Sequence, residues 1–324
     1  MTIQKIGVTT AGGDGPGMNA AIRSVVRSAI SQGLHVVGVI KGYDGLLDDN
    51  VIEMDHRSVA NIINRGGTIL KTARSKRIRT PEGMAKAAET IKKNHIDALI
   101  VIGGDGTFRA ANELGTKYKI PIIGIPGSID NDIYGTDRTI SSDTAINTAL
   151  ESIDKIRDTA QSMERIFVIE VMGNKSGYIA LEVALAAGAE DVIIPEREFD
   201  YADMYRRIKE GSQKGKMSWM IITAEGAAKA QDVAEKITKE TGLETRTTVL
   251  GHVQRGGSPT ASDRILATRL GALAVDLLLK GEYGKAVGIL KNELNVIDLK
   301  DARQTSNPTS VGIDEYYRLI KLLT

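Results

Sequence analysis

Cysteine is absent from this chain of 324 residues. Its absence excludes disulfide bonds, thiolate zinc sites and cysteine nucleophiles together, and it fits a reducing compartment. No apolar run approaches the roughly 20 residues that a helix needs to span a bilayer, and the first residues lack the basic and apolar zones of a signal peptide. We therefore expect a cytoplasmic protein with no membrane partner.

An excess of charge of either sign is also missing. The 42 basic and 41 acidic residues leave a formal net charge of +1, so bulk electrostatics do not favour a nucleic acid as a partner. Apolar residues make up 42% of the chain and charged residues 26%, which is the ordinary composition of a globular protein. At this length, more than one compact unit is expected.

Short apolar runs alternate with longer amphipathic stretches along the chain. Runs that are mostly apolar, such as Ile96–Ile102, are typical of parallel strands that helices cover on both faces. The pattern predicts an α/β fold with doubly wound sheets. Predicted strands cover residues 5–10, 34–40, 96–102, 121–125, 166–171, 192–194 and 219–223, and predicted helices cover residues 18–31, 84–94, 142–159, 230–240 and 262–279.

Unusual loops follow three of the predicted strands. We call Gly12–Gly17 the first loop, Gly103–Thr107 the second loop and Pro126–Asp132 the third loop. Ligands collect beyond the carboxyl ends of parallel strands, and glycines before a helix let the backbone approach a phosphate. Tight turns that need a positive φ are the alternative for any one loop. The glycine spacing fits neither a dinucleotide-binding fingerprint nor a P-loop, which disfavours a Rossmann dehydrogenase and a P-loop kinase.

Acidic residues stand inside two of these loops. Asp105 in the second loop would repel a phosphate unless a cation intervened, so we expect Mg²⁺ there. Asp130 and Asp132 are two residues apart and would point to the same side of an extended segment. One would then accept a hydroxyl proton while the other positions the metal or the substrate. Helix capping or an Asx turn remains the alternative for each of these carboxylates.

A group of cationic residues occurs late in the chain. Arg246, His252 and Arg255 flank residues 247–251 and precede the Gly256–Gly257 turn. Cations spaced around a strand and a glycine turn suit the phosphate of a sugar phosphate. Because most isolated arginines are merely solvated, this prediction depends on the cluster.

Six segments together resemble the bacterial ATP-dependent 6-phosphofructokinase family over essentially the whole chain, in order and with matching spacing. They are residues 12–21 (GGDGPGMNAA), 64–68 (NRGGT), 102–107 (IGGDGT), 126–132 (PGSIDND), 171–173 (VMG) and 250–259 (LGHVQRGGSP). The second loop alone would be weak evidence, because NAD kinases and diacylglycerol kinases are similar there. The PGSIDND and GHVQRGGSP segments are highly specific.

The resemblance implies two doubly wound three-layer α/β/α domains with the active site in the cleft between them. Residues 1–141 with 254–304 would bind ATP and Mg²⁺, and residues 142–253 with 305–324 would bind fructose 6-phosphate. The implied reaction moves the γ-phosphoryl group of ATP to the 1-hydroxyl of fructose 6-phosphate. An arginine, Arg165, would arrive from a neighbouring subunit, which implies a homotetramer.

The resemblance also implies roles for individual residues. ATP would be surrounded by Gly13, Arg74, Ser75, Gly104, Gly106 and Thr107, with Asp105 binding Mg²⁺. Asp130 would be the general base, with Ser128 and Asp132 assisting it. Fructose 6-phosphate would be held by Ser128, Asp130, Arg165, Met172, Gly173, Asn174, Glu225, Arg246, His252 and Arg255. An ADP or phosphoenolpyruvate effector would meet Arg23, Arg27, Arg157, Glu190, Lys214 and Lys216, in a site that is only partly retained.

Some positions bear on the choice between related activities. Gly106 and Gly127 stand where pyrophosphate-using relatives carry an aspartate and a lysine, which favours ATP. Asn174 replaces an arginine of the family, and Ser75–Ile78 replaces aromatic residues near the adenine. The alternatives left open are a relative that uses pyrophosphate or tagatose 6-phosphate, and a weakly catalytic regulatory paralogue. An NAD kinase or a lipid kinase is disfavoured by the GHVQR segment.

Overall fold

A computed structural model describes residues 3–303 and 312–323 of the chain. The chain divides into two compact units, which we call unit 1 (residues 1–144 and 255–307) and unit 2 (residues 145–254 and 308–324). Each unit contains its own sheet. The ligands that the resemblance assigns to the two domains stay predictions.

The strands and helices of the described residues follow one another along the chain. The strands are β1 Lys5–Ala11, β2 His35–Val39, β3 Val51–Met54, β4 Ala98–Gly103, β5 Ile122–Pro126, β6 Ile166–Val171, β7 Asp191–Ile193, β8 Trp219–Ala224, β9 Thr245–Val249, β10 Lys285–Leu290 and β11 Glu293–Asp298. The helices are α1 Met18–Ser31, α2 Gly42–Leu47, α3 Pro81–Lys93, α4 Asp105–Tyr118, α5 Ser142–Ser162, α6 Tyr178–Ala187, α7 Tyr201–Gln213, α8 Ala230–Thr241, α9 Ala261–Leu279 and α10 Ile313–Leu323.

The sheet of unit 1 has seven strands in the order β11-β10-β5-β4-β1-β2-β3. The central strands are parallel, while β3 and β11 pair antiparallel at the two edges. All six residues of β4 are buried, which confirms that this run is covered on both faces. The register places Ala11 opposite Gly103, and Gly103 opposite Pro126. The first, second and third loops therefore leave the sheet side by side at one edge.

Helices cover both faces of this sheet, as an α/β fold requires. On one face, α1 and α9 contribute buried residues such as Ile22 and Leu270 to a core that includes Ile100. On the other face, Phe108 of α4 and Ile91 of α3 pack in a second core. Within the described ranges, no helix has the length and the apolar composition of a membrane span.

The sheet of unit 2 has four parallel strands in the order β7-β8-β6-β9. One of its faces is covered by α7 and α8, whose Ile208 and Ile237 pack against Val168 of β6. Strand β9 lies at the sheet edge and is only partly buried. This arrangement places the segments that follow β6, β8 and β9 at the same edge of the sheet.

Sequence patterns located seven strands and five helices of the described residues and missed β3, β9, β10, β11, α2, α4, α6, α7 and α10. The helix predicted for residues 18–31 has those bounds, and the other predicted elements agree to within a few residues. The β10–β11 hairpin was missed. Its turn residues, Lys291 and Asn292, both have positive φ values, 51° and 67°, which is the geometry of a tight hairpin turn without its usual glycine signal.

Candidate active site

The first loop needs glycine for two different reasons. Gly12 and Gly17 have φ values of 94° and 107°, which side chains rarely adopt. At Gly13 the reason is space, because a Cβ there would lie 2.8 Å from Nη1 of Arg255. That same nitrogen donates a hydrogen bond to the carbonyl oxygen of Asp14 at 3.0 Å. The structure therefore places the Arg255 guanidinium on the first loop, inside unit 1.

The second loop leads directly into helix α4, which begins at Asp105. Gly104 precedes the helix without offering a side-chain cap, so the first N–H groups of the helix are available to an anion. The hydroxyl of Thr107 donates to the Ala11 carbonyl oxygen at 2.9 Å, and Tyr43 donates to the Thr107 carbonyl oxygen at 2.6 Å. Thr107 thus fixes the second loop against β1, while the partly exposed Asp105 carboxylate lies 3.6 Å from Arg109.

The third loop is a turn, and the expectation of an extended segment was wrong. Asn131 has a φ of 50°, which breaks the alternation that would have aimed Asp130 and Asp132 to one side. The Ser128 hydroxyl stabilises this turn through two hydrogen bonds. It accepts the Asp130 N–H at 3.2 Å and donates to Oδ1 of Asp132 at 3.2 Å.

The second and third loops meet at the edge of the unit 1 sheet. A Cβ at Gly104 would lie 3.9 Å from both Cβ and Oγ of Ser128. Burial raises the pKa of the Asp132 carboxyl, and the nearby negative charge of Asp105 raises it further. The two loops and the carboxyls of Asp105 and Asp132 therefore lie near one another, and a shared active site stays a prediction.

The acidic residues at this site fit a magnesium ion. Two carboxylates that repel one another, such as Asp105 and Asp132, supply the hard oxygen ligands that Mg²⁺ prefers. Among the residues that the structure describes, no group of three or more His, Asp or Glu forms a complete metal cage. Mg²⁺ usually takes only one or two carboxylates and completes its shell with water and substrate phosphates.

The remaining candidate nucleotide residues lie around this edge. Ser75 is held by Asp44, to whose Oδ1 its hydroxyl donates at 2.5 Å. Arg74 is exposed beside it. The segment that carries both is tied to the first loop, since Gly12 N–H donates to the Ala73 carbonyl oxygen at 3.2 Å. The chain thus places Arg74 and Ser75 near the first loop through main-chain contacts.

Two of the arginines predicted to bind a sugar phosphate come together in unit 2. Arg165 Nε donates to Oε2 of Glu244 at 3.2 Å, and Arg246 donates to Oε1 of the same carboxylate. The pairing of β6 with β9 brings the two arginines to this position. Sequence reasoning missed Glu244, although it precedes Arg246 by only two residues. His252 is exposed in the short 3₁₀ segment after β9.

The loop that follows β6 is fixed by two side chains. Oε1 of Glu225 accepts the N–H groups of Gly173 and Asn174, at 3.3 and 2.8 Å. The buried side chain of Gln254 accepts the Met172 N–H at 2.8 Å. Glu225 was predicted as a ligand, whereas Gln254 was given no role although it lies in the GHVQRGGSP segment. Both side chains hold Met172–Asn174 in a defined conformation.

The predicted effector residues fall into two groups. In unit 2, Arg157 donates to the carbonyl oxygens of Ala187 and Gly188, and Glu190 forms an ion pair with Lys216 at 2.9 Å. The C-terminal end of α7 carries Lys214 nearby. The other two residues, Arg23 and Arg27, lie on α1 of unit 1. The structure thus brings Glu190 and Lys216 into contact, and an effector role for the six residues stays a prediction.

One buried carboxylate in unit 1 was not predicted at all. Asp263, in the first turn of α9, is 1% exposed. It accepts the N–H groups of Ser141 and Thr144, both at 2.9 Å, and the Thr144 hydroxyl at 2.5 Å. Burial raises the pKa of this carboxyl to about 6. No local pattern marks it, because its partners lie more than 100 residues away.

The raised pKa of Asp263 gives a pH dependence with a definite sign. The folded protein binds this proton more tightly than the unfolded chain, whose aspartates titrate near pH 4. The stabilisation is fully present below about pH 4 and is lost as the pH rises through about 6. From pH 4 to pH 8, the free energy of unfolding of the wild type should fall by about 3 kcal/mol relative to Asp263→Asn. Denaturant titrations of both proteins check this, and a constant difference would contradict it.

Comparisons with known proteins identify the family to which the chain belongs. The family model described as Phosphofructokinase matches residues 5–278. The ATP-dependent 6-phosphofructokinase of Shouchella clausii is 54% identical over 90% of this chain and 91% of its own length. That of Halothermothrix orenii is 48% identical over 99% of this chain and 100% of its own length. The chain belongs to the phosphofructokinase family.

A solved structure of the same family confirms the fold. Phosphofructokinase from Saccharomyces cerevisiae superposes with a TM-score of 0.88 at 36% identity. The alignment covers 99% of this chain and 48% of the yeast chain, so this chain spans about half of the yeast chain's length. The α/β fold predicted from the sequence is therefore that of the phosphofructokinases.

Proposed function

We propose that this chain is an ATP-dependent 6-phosphofructokinase, which transfers the γ-phosphoryl group of ATP to the 1-hydroxyl of fructose 6-phosphate. The observation that carries this proposal is the meeting of the second and third loops, where Asp105, Ser128 and Asp132 form one acidic site beside a helix N-terminus. The curated relatives described above bear the same activity in their names.

Each residue of this site has a task in the reaction. Asp130 takes the proton of the sugar 1-hydroxyl, and Ser128 orients it by accepting the Asp130 N–H. Asp105 would hold Mg²⁺ with help from Asp132, and the first N–H groups of α4 would donate to the phosphates. When bound, Mg²⁺ neutralises charge on the transferred phosphoryl group. Positioning and electrostatics then supply most of the rate acceleration.

Two glycines support ATP as the phosphoryl donor rather than pyrophosphate. A Cβ at Gly106 would meet no protein atom within 4 Å, so packing does not require glycine and the open space suits a bulkier donor. A Cβ at Gly127 would lie 3.1 Å from Met18 and 3.2 Å from Ile102, which leaves little room for the lysine of pyrophosphate-using relatives.

Fructose 6-phosphate is the acceptor in this proposal, and residues of unit 2 would hold it. Arg165 and Arg246 each donate to the carboxylate of Glu244 within the chain, and each guanidinium can donate to a phosphate oxygen in its place. Met172–Asn174 and Glu225 would contact the sugar. A cytoplasmic location, a homotetramer to which Arg165 contributes across subunits, and weakened control by ADP or phosphoenolpyruvate belong to the same proposal.

Glu244 should compete with the substrate phosphate for these two arginines. Replacing it by glutamine removes its charge, so we expect Glu244→Gln to lower KM for fructose 6-phosphate by about 3- to 5-fold. The value of kcat should change less than about twofold, since no reacting atom is touched. Initial-rate kinetics measure both parameters. Glu240→Gln, on the exposed side of α8, is the matched control, and a raised KM in Glu244→Gln would contradict the prediction.

A donor and acceptor competition assay tests the proposed function. The purified protein is assayed with ATP, GTP or pyrophosphate against fructose 6-phosphate, and with ATP against tagatose 6-phosphate, while bisphosphate formation is followed. We expect ATP with fructose 6-phosphate to give the highest kcat/KM, and pyrophosphate to be at least about 100-fold poorer. A preference for pyrophosphate, or the absence of turnover with every pair, would overturn the proposal.

A further inference from the structure

A short segment of unit 1 lies against both the first and the third loop. We call residues 137–144 the bridging segment. Thr139 donates its hydroxyl to the Ser128 carbonyl oxygen at 2.5 Å and its N–H to Oδ1 of Asn131 at 2.7 Å. Ile140 accepts the Ser128 N–H at 3.1 Å. The main chain of the third loop is therefore held by the bridging segment.

The first loop rests on the same segment. A Cβ at Gly15 would lie 2.5 Å from Oγ of Ser141, and a Cβ at Gly17 would lie 2.7 Å from Ile140. The two loops are thus packed on consecutive residues. A shift of the bridging segment would move both of them.

The bridging segment is strained at one residue. Ser141 has a φ of 92°, a conformation that is energetically unfavourable for a residue with a side chain. Its hydroxyl is fully buried and has no hydrogen-bond partner among the described residues. The surrounding structure must therefore impose this conformation.

Asp263 is the group that imposes it. Its buried carboxylate accepts the N–H of Ser141, on one oxygen, and both donors of Thr144, on the other. Thr260 also helps to hold Thr144 in place, since its N–H donates to the Thr144 hydroxyl at 3.0 Å. These hydrogen bonds stabilise the conformation that Ser141 adopts and so offset its strain.

We infer that Asp263 is a positioning residue, which holds the bridging segment in its strained form and thereby aligns the first and third loops for phosphoryl transfer. This inference rests on the proposed function. Asp263 touches neither substrate and acts only through Ser141 and Thr144. A displacement of about 1 Å in such a site costs on the order of 100-fold in rate. A purely structural cap would instead lower stability and leave kcat unchanged.

A double-mutant cycle separates these two roles. Asp263→Asn leaves one acceptor oxygen where the carboxylate has two, so the side chain can no longer accept hydrogen bonds from both Ser141 and Thr144. The variant should therefore lower kcat by about 10- to 100-fold. KM for both substrates should stay within about threefold. Glycine adopts a φ of 92° without strain. In the Ser141→Gly background, Asp263→Asn should therefore cost less than about fivefold in kcat.

The matched control is Asp200→Asn, at a helix-capping aspartate of unit 2 that accepts the Asp203 N–H at 2.9 Å. Its kcat should equal that of the wild type. If Asp263→Asn does not fold, Thr144→Val takes its place in the cycle and should lower kcat by about 3- to 10-fold, again less with Ser141→Gly.

The outcomes distinguish the inference from the proposed function. A smaller loss of kcat in the Ser141→Gly background supports positioning by Asp263. An active wild type with unchanged kcat in the variants, or with equal losses in both backgrounds, overturns the inference while the proposed function stands. A wild type without phosphofructokinase activity overturns both.

Discussion

Replacing Asp130 by serine should lower kcat by about 10²- to 10⁴-fold, because the proton of the sugar 1-hydroxyl then has no carboxylate to accept it. KM for fructose 6-phosphate should stay within about threefold, since the loss falls on the transition state and not on substrate binding. The third loop should keep its shape, because Ser128 bonds the main-chain N–H of residue 130. Steady-state kinetics in fructose 6-phosphate measure both effects.

Asp276→Asn is the control for this variant. Asp276 is an exposed residue of α9 in the same unit, and its replacement should leave both kinetic parameters unchanged. Turnover of Asp130→Ser at the wild-type rate would show that Asp130 is not the general base. A large rise in KM with unchanged kcat would assign it to substrate binding alone.

The second large effect is expected at Asp105. Asp105→Asn replaces a carboxylate that the proposal assigns to Mg²⁺ by a neutral amide, so the Mg²⁺ concentration for half-maximal activity should rise by about 10- to 100-fold. At saturating Mg²⁺, kcat should remain about 100-fold below the wild type, because charge on the transferred phosphoryl group is less well neutralised. Magnesium titrations at fixed ATP give both values.

A second substitution on the same helix controls for effects on α4 itself. Glu113→Gln lies at an exposed position two turns further along and should leave the Mg²⁺ dependence unchanged. The removal of Asp105 also costs the helix a favourable charge at its N-terminus, worth about 0.3–1 kcal/mol. An Asp105→Asn enzyme with wild-type Mg²⁺ dependence would exclude this carboxylate from the metal site.

Much of the fold could be predicted because strands and helices have local signatures. The apolar run that became β4 and the amphipathic stretch that became α1 were located within two residues. The sequence also indicated that three loops would leave one sheet edge. The short edge strands β3 and β11 were missed, since a partly exposed strand of four to six residues has neither a long apolar run nor a full helical period.

The candidate site was predicted in its residue types and only partly in its geometry. Asp105 and Ser128 were expected together and lie together. Asp130 and Asp132 were expected on one side of an extended segment, but Asn131 turns the chain between them. Asparagine tolerates the left-handed conformation, but the sequence around Asn131 does not indicate that this residue adopts it.

The sequence by itself determined which residues are candidates for the chemistry, because glycine-rich loops, paired aspartates and clustered arginines are recognised from neighbours along the chain. Only the tertiary structure decided which distant side chains hold them in place. Glu244 between two arginines, Gln254 on the Met172 N–H, and Asp263 beneath the bridging segment are examples. Asp263 and Ser141 are 122 residues apart, and packing of helices from distant parts of the chain brings them to hydrogen-bonding distance. Such contacts leave no periodic pattern in the sequence.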